Sequence, residues 1–561
     1  MRLEERRLTG GAAIVEAARA NGMTTLFGVP GVQIYPLFDA LHGTGVEVVV
    51  PRHEQAAAYM AMGYAKSTGR TGVFTVVPGP GVLNAAAALC TAMGNCAPIV
   101  CLTGQVPSSF LGRGRGHLHE LADQAATLRT LIKDAWRIDS ARDTSRLVNR
   151  AFRLAAGGRP GPVAIEMCWD TMAAPAYAVI EPPDAAVAEP AIDEAAIEAA
   201  VRLLAAAKRP MIMCGAGAQH APREVELLAE TLQAPVTAFR SGRGIVPEDH
   251  ALGVASVAAR ELWDDVDVLV GIGSRLEMPY MRWGDSMRYE RKPPHGPKLI
   301  RVDIDPDEMR RFEPDVAIVG DSATACRLLA ERLRDRAAPD PARSAEIAAA
   351  KRVGDAAIDR LIQPQTAFLR AIRAVVPRDG ILVPELSQVG FATYTGAYPV
   401  LAPRTYISEG FQGTLGFGFP TALGVKVAHP SKAVVSVTGD GGFMFGVQEL
   451  ATAAQYGIAL VTIVFNNNSF ANVLRDQQLQ FGGRTLGSRL ENPDFVRLAE
   501  SFGVAARRAK EPHELQRVLE AELAAARPAL IEVPLEAGVE QSPWPLIHMR
   551  KRPSELLRSS R

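Results

Sequence analysis

The chain has 561 residues, 48% hydrophobic and 22% charged, the profile of an ordinary globular protein of about three or four domains. Basic and acidic residues balance at 61 each, which excludes the strong positive field of a nucleic-acid or anionic-membrane binder. No apolar run approaches the roughly 18 residues needed to cross a bilayer. No signal-peptide pattern opens the chain, and its six cysteines form no C-x-x-C pair, so reduced thiols and a cytoplasmic location are expected. The Arg-rich ends (Arg2, Arg6, Arg7; Arg550, Lys551, Arg552) are expected to be solvated termini.

An α/β alternation begins at once. Thr9 can cap a helix that buries Ala13, Ile14, Ala17 and Ala18 and stops at Asn21-Gly22. A strand at 25–27, a Gly-rich turn, a helix at 36–41 and a buried strand at 46–50 follow. That last strand ends at Pro51-Arg52-His53-Glu54, ahead of an alanine-rich helix to Ser67 with Gly69 as its stop. Glu54 therefore opens a helix, where the dipole favours an acid. A strand at 73–77, the turn Pro78-Gly79-Pro80-Gly81, a helix carrying Asn84 and a strand at 99–103 continue the pattern. The glycine-rich loop 112–120 carries His117 and His119, and a strand at 163–166 closes a first domain spanning 1–175.

Residues 172–190, rich in Ala and Pro, are expected to be a linker. Asp193 then caps a helix with Ile197, Val201 and Leu204 inward. Strands at 211–214, 266–270 and 299–304, the first two ending in Gly-x-Gly turns, predict a second Rossmann-like domain over 191–335. Such turns also serve strand–helix packing, so they do not by themselves imply a nucleotide. A second linker is expected at 336–352 and a third domain at 355–561.

In the third domain a strand at 381–383 runs into Glu385-Leu386-Ser387-Gln388, where hydroxyl and amide groups can hold diphosphate oxygens. A short β-branched strand at 433–438 breaks at Gly439-Asp440-Gly441-Gly442. A helix at 448–456 with Leu450, Ala451 and Ala454 inward ends at Gly457, and a strand at 459–465 delivers Asn466, Asn467, Asn468 and Ser469. This βαβ unit puts Asp440 and Asn467 at the carboxyl ends of parallel strands, the ligand-binding edge of open α/β sheets. A carboxylate, an amide oxygen and a loop carbonyl suit a hard divalent cation, and the glycines admit a diphosphate. No Walker lysine is present, so the site is built to hold a metal-bridged diphosphate rather than to cleave one.

Gly439-Asp440-Gly441 followed by Asn466-Asn467 resembles the thiamine-diphosphate (ThDP) motif, and the separation, 467 − 440 = 27, is that of the acetolactate synthase group. The resemblance covers nearly the whole chain. It implies Asp440, Asn467 and the Ser469 backbone carbonyl as Mg²⁺ ligands. It also implies Gly439, Gly441, Gly442, Ser469 and Phe470 as cofactor-binding, beside Ser387 and Gln388. Arg52-His53-Glu54-Gln55 looks like the segment of the family's activating glutamate, which makes Glu54, hydrogen-bonded to the cofactor's aminopyrimidine, the leading catalytic candidate. The Gly79-Pro80-Gly81 turn, Asn84 and the later Thr103-Gly104-Gln105 follow the same pattern. Decarboxylases of the superfamily carry active-site histidines near the position of His119, a candidate proton relay here, where acetolactate synthases have a glutamine. The segment 410–418 resembles the one bearing the family's apolar wedge: Leu415 would be that wedge, and the Gly413 carbonyl would accept from the cofactor's amino group.

Other positions depart from the pattern. Where acetolactate synthases contact flavin through a His-Gly loop and a run of aspartates, this chain has residues 252–258 and Leu276-Glu277-Met278; Arg275 fits, but the balance is against bound FAD. Asp476 stands where the family has a substrate-channel tryptophan, Asn472 and Arg475 replace apolar or neutral residues, and Val32 replaces the serine of benzoylformate decarboxylase. The resemblance implies three Rossmann-like, doubly wound parallel-sheet α/β domains, with pyrimidine, central and diphosphate roles, in a homodimer or homotetramer with shared active sites. It implies decarboxylation of a 2-oxo acid followed by carboligation to an aldehyde or a second 2-oxo acid. A simple 2-oxo acid decarboxylase is the alternative. Outside that class stand a flavin-dependent oxidoreductase and an inactive cofactor-binding homologue.

Overall fold

The computed structural model describes residues 4–284, 295–337 and 340–559. Each of the three α/β units is built on a parallel sheet, as the short β-branched runs require when helices cover both faces. The first sheet orders its strands Glu47–Val49, Thr25–Gly28, Gly72–Val76, Ile99–Gln105, Val163–Cys168 and Asp134–Ile138. In the second the order is Val236–Thr237, Pro210–Cys214, Val268–Ile272, Lys298–Asp303 and Val316–Val319. The third runs Ile381–Pro384, Val434–Gly439, Val461–Asn466, Ala529–Pro534 and Ala505–Arg508.

Helix starts follow the expected chemistry. Thr9 Oγ1 accepts from Ala12 N at 3.1 Å, Asp193 caps Glu194–Ala206, and Gly69 ends Glu54–Thr68 with φ +76°. The helix before Asn467 is shorter than expected: a 3₁₀ turn at Val447–Glu449 precedes Leu450–Tyr456, which buries Leu450, Thr452 and Ala453 rather than Ala451 and Ala454.

Three expectations need correction. The first linker is partly a strand, because Pro175–Ile180 pairs antiparallel with Glu4–Thr9. Arg6 and Arg7 are exposed but lie in that strand instead of a loose terminus, and Arg552 is tied to Asp264 and Asp265; Arg2 lies outside the described residues. The second linker is helical over most of its length, since Arg343–Leu361 is a 19-residue helix that buries Ile347, Ala350, Ala357 and Ile358; Pro339 lies outside the described residues. Ala- and Arg-rich composition reads equally well as loop or as amphipathic helix, and burial decides.

The first and third units share one apolar core. Helix Glu54–Thr68 lies against helix Gly418–Ala428 so closely that a Cβ on Gly63 would fall 2.2 Å from the Thr421 carbonyl oxygen, and one on Gly424 2.1 Å from that of Met60. The Arg52 N–H, just before Glu54, donates to both carboxylate oxygens of the buried Glu449, at 3.0 and 3.1 Å. The start of the Glu54 helix is thus fixed to the third unit of the same chain.

Candidate active site

The carboxyl ends of three adjacent strands in the third sheet bring the diphosphate-side residues together. Ile381–Pro384 leads into Glu385, Ser387 and Gln388, Val434–Gly439 into Asp440, and Val461–Asn466 into Asn467; the registers Pro384↔Val437 and Gly439↔Phe465 align these ends. Asp440 is 2% exposed. Its Oδ2 accepts from Ser469 N at 3.2 Å and from Asn492 Nδ2 at 2.6 Å. Burial raises the Asp440 carboxyl above its ordinary pKa, against the N–H and amide donors that lower it. A buried carboxylate with this balance is relieved by a cation.

Ser469 Oγ donates to Asn467 Oδ1 at 2.8 Å, and Asn467 Nδ2 donates to Glu540 Oε2 at 2.5 Å. Ser469 pairs with Arg489 in an isolated bridge whose hydrogen bonds run Phe470 N to Ser488 O and Leu490 N to Asn468 O. The Ser469 carbonyl thus lies outside that ladder. Asn468 takes the left-handed φ of +54° that asparagine tolerates, which turns the chain sharply between Asn467 and Ser469. The half-buried Glu540 carboxyl is pushed up to about 7 by desolvation and by the Asp440 charge, with the Asn467 amide opposing.

The neighbouring glycines are closely packed. A Cβ on Gly441 would meet the Phe470 ring at 2.5 Å, one on Gly442 would meet Glu385 Oε1 at 2.4 Å, and one on Gly439 would sit 3.0 Å from Ser387 Cβ. Gly413, at φ +64°, has only Leu386 within reach, at 3.7 Å, so its Cβ would enter open space. Glu385 organises the loop that carries Leu415. It is buried, accepts from Gly416 N, from Gly418 N at 3.0 Å and from Thr438 Oγ1 at 3.1 Å, and burial pushes its pKa up to about 7. Leu415 itself is half-buried.

Ser387 is engaged locally, its hydroxyl accepting from Gly390 N at 3.0 Å and donating to the Glu385 carbonyl at 3.3 Å. Gln388 Oε1, in contrast, is buried without a partner. The Asp440 carboxylate, the Asn467 amide oxygen and the unladdered Ser469 carbonyl form a hard-oxygen set, fitting Mg²⁺ with a diphosphate.

A second group forms at the carboxyl edge of the first sheet. Asn84 Nδ2 donates to Glu54 Oε2 at 3.0 Å. His119, in the left-handed region at φ +67°, directs Nδ1 to Gln33 Oε1 at 3.0 Å. Because Gln33 Nε2 donates to the Leu118 carbonyl, Gln33 Oε1 is an acceptor, so Nδ1 carries the proton and Nε2 keeps its lone pair in the neutral ring. The His119 carbonyl lies where a Cβ on Gly79 would fall, at 2.5 Å, which ties this loop to the turn before Asn84. No hydrogen bond or ion pair among the described residues joins Glu54, Asn84 or His119 to the Asp440 cluster.

The positions that depart from the family pattern lie together. Asn472, Arg475 and Asp476, on helix Ala471–Gln480 directly after Phe470, line a cavity of about 410 Å³ with Trp544 and His548. Arg475 pairs with Asp476 at 2.9 Å, and Trp544 Nε1 donates to Asn472 Oδ1 at 2.5 Å. A larger cavity of about 680 Å³ lies between the first and middle units, lined by Gly215, Gly217, Gly273 and Arg275; there Glu277 is paired with Arg240 and Arg282.

Glu385, Asn492 and Glu540 are site residues that motif reasoning does not single out. Glu385 ends an apolar strand, a weak signal for a buried clamp. Asn492 and Glu540 stand in Pro- and Gly-containing loops with no pattern at all.

Comparison with known proteins places this geometry. The N-terminal TPP binding domain of thiamine pyrophosphate enzymes matches residues 8–127, their central domain 197–329 and their C-terminal TPP binding domain 387–533. A protein of Pseudomonas aeruginosa named as a probable 2-ketoarginine decarboxylase is 34% identical over 545 residues, covering 94% of this chain and 94% of its own. A probable acetolactate synthase large subunit of Methanocaldococcus jannaschii is 32% identical over 557 residues, covering 94% and 92%. The solved thiamine diphosphate-dependent 4-hydroxybenzoylformate decarboxylase of Rhodococcus jostii superposes with a TM-score of 0.80 at 26% identity, over 94% of this chain and 99% of that one.

Proposed function

The chain belongs to the thiamine pyrophosphate enzyme family, and from that footing we propose that it decarboxylates a 2-oxo acid and joins the remaining acyl unit to a second carbonyl compound, as an acetolactate synthase-like carboligase. The observation that carries this reading is the hard-oxygen cluster of Asp440, Asn467 and Ser469 at a parallel-sheet edge. Bound ThDP supplies the electron sink that lets a 2-oxo acid lose CO₂.

The chain's own residues do the rest. Asp440, Asn467 and the Ser469 carbonyl would hold Mg²⁺, and Gln388 with the glycines at 439, 441 and 442 would line the diphosphate. Leu415 would prop the cofactor, and the Gly413 carbonyl would accept from its amino group. Glu54, steadied by Asn84, would hold a proton at the aminopyrimidine ring. The closing partner would be a second copy of this chain, so that Glu54 of one meets Asp440 of the other in a homodimer or homotetramer. Exposed apolar side chains flank both groups, Leu83 and Leu118 in the first unit and Met444 and Phe445 in the third, as a buried interface requires. A cytoplasmic location belongs to the same reading, supported by six cysteines free of disulfides. No flavin is assigned to the middle cavity, because Glu277 already serves two arginines; a purified protein with a flavin absorption spectrum would overturn that.

A second reading, release of the acyl unit as an aldehyde, is favoured by the two decarboxylases among the similar proteins, with His119 as the candidate proton relay. Incubation with ThDP, Mg²⁺ and a panel of 2-oxo acids, with products analysed by mass spectrometry, separates the two. A coupled 2-hydroxy ketone supports carboligation, an aldehyde alone supports the second reading, and no CO₂ from a ThDP-loaded protein rejects both.

A further inference from the structure

The C-terminal segment contributes a carboxylate to the metal cluster that no motif assigns. After strand Ala529–Pro534 the chain crosses the carboxyl edge of the third sheet, held first by the hydrogen bond from Leu535 N to the Asn466 carbonyl at 2.8 Å. Beyond Glu540 it is clamped again. Gln541 N donates to the Gln363 carbonyl at 2.9 Å, Gln363 N to Gln541 Oε1 at 2.9 Å, and Gln365 Nε2 to the Gln541 carbonyl at 2.6 Å. Between these clamps Glu540 Oε2 meets Asn467 Nδ2 at 2.5 Å.

An asparagine amide has one oxygen end and one N–H₂ end, and the partners decide which faces which way. In its ionised form the Glu540 carboxyl accepts and cannot donate, so it draws the Nδ2 end of Asn467 toward it. On the other side Ser469 Oγ donates to Oδ1 in the same orientation. We infer that Glu540 is a positioning residue for the metal cage: its carboxylate fixes the flip of the Asn467 amide, so that the oxygen and not the N–H₂ group is offered to the cation. Without that partner the amide would rotate between its two flips, one of which turns a donor toward Mg²⁺. Outer partners that orient metal ligands in this way are worth about 10–100-fold in metal affinity.

This inference rests on the Mg²⁺–ThDP reading above, and its test separates the two. Mg²⁺ is titrated into protein with saturating ThDP, and binding is followed by calorimetry and by intrinsic tryptophan fluorescence rather than by turnover. Glu540→Leu, which removes the acceptor, should need about tenfold more Mg²⁺ or beyond, and Glu540→Gln, whose amide can present either end to Asn467, should fall between it and the wild type. Melting temperatures taken without cofactor check that the variants are folded, and Glu540→Ala takes the place of a leucine variant that does not fold. An unchanged Mg²⁺ midpoint in the leucine or alanine variant overturns the inference. Failure of the wild type itself to bind ThDP with Mg²⁺ overturns the underlying reading instead.

Discussion

Asn84 donates its amide to Glu54 Oε2 across 3.0 Å, so the first residue of one helix is joined to the N-terminal part of another at the edge of the first sheet. Glu54 is further fixed through its own chain, because the preceding Arg52 N–H is held by the buried Glu449 of the third unit. Glu54 is thus positioned from both sides and remains half-exposed.

Replacing Glu54 by Gln keeps the hydrogen-bonding shape and removes the proton-holding group. The variant should retain ThDP and Mg²⁺ by calorimetry while CO₂ release falls by at least about a hundredfold, the low end of acid–base contributions. A turnover near that of the wild type would remove Glu54 from the mechanism.

Asp440→Ala should act at a different stage. With the buried carboxylate gone, Mg²⁺-dependent retention of ThDP is lost, and the calorimetric signal for cofactor should vanish at Mg²⁺ concentrations that saturate the wild type. Unchanged cofactor binding would reject Asp440 as a metal ligand.

The buried Glu385 predicts a pH signature. Its folded pKa, about 7, lies above the ordinary 4.5, so the folded state holds this proton more tightly than the unfolded chain does. Its contribution to stability is therefore full below about pH 4.5 and is lost as pH rises through about 7. Glu385→Gln cannot titrate, so the melting-temperature difference, wild type minus variant, should shrink between about pH 5 and about pH 8. A difference independent of pH would show that Glu385 does not titrate in this way.

The pairing of the first and third units depends on two glycines with no room for a methyl group. Gly63→Ala and Gly424→Ala force a Cβ to within 2.2 and 2.1 Å of backbone oxygens on the facing helix. Each should destabilise by about 1–3 kcal/mol, the usual range for overpacking, and lower the melting temperature. Unaltered melting in both variants would mean that the helices separate freely.

How far the sequence reveals this molecule differs between its parts. The strands stand out because buried parallel strands are short β-branched runs between glycines, and Asp440, Asn467 and Glu54 appear at their carboxyl ends. The antiparallel pair formed by Glu4–Thr9 and Pro175–Ile180 does not, because Glu4–Thr9 is polar and mostly exposed and its partner lies far away in the chain. Helix Arg343–Leu361 hides in an Ala- and Arg-rich stretch that composition alone assigns to a linker. Within the site, ligands announced by a motif are legible, whereas the groups that hold them are not. Asn492 reaches Asp440 over 52 residues and Glu540 reaches Asn467 over 73, and no local pattern records contacts at that distance.

The central claim is that Glu54 and Asp440 serve one cofactor from two copies of the chain. Co-expression of Glu54→Gln with Asp440→Ala, with mixed dimers verified by mass spectrometry, tests it directly through CO₂ release from a 2-oxo acid the wild type consumes. Each mixed dimer would then hold one doubly altered site and one intact site. Random pairing should recover about a quarter of wild-type activity from two variants that are each nearly inactive alone. Verified mixed dimers with no recovered activity would contradict the account.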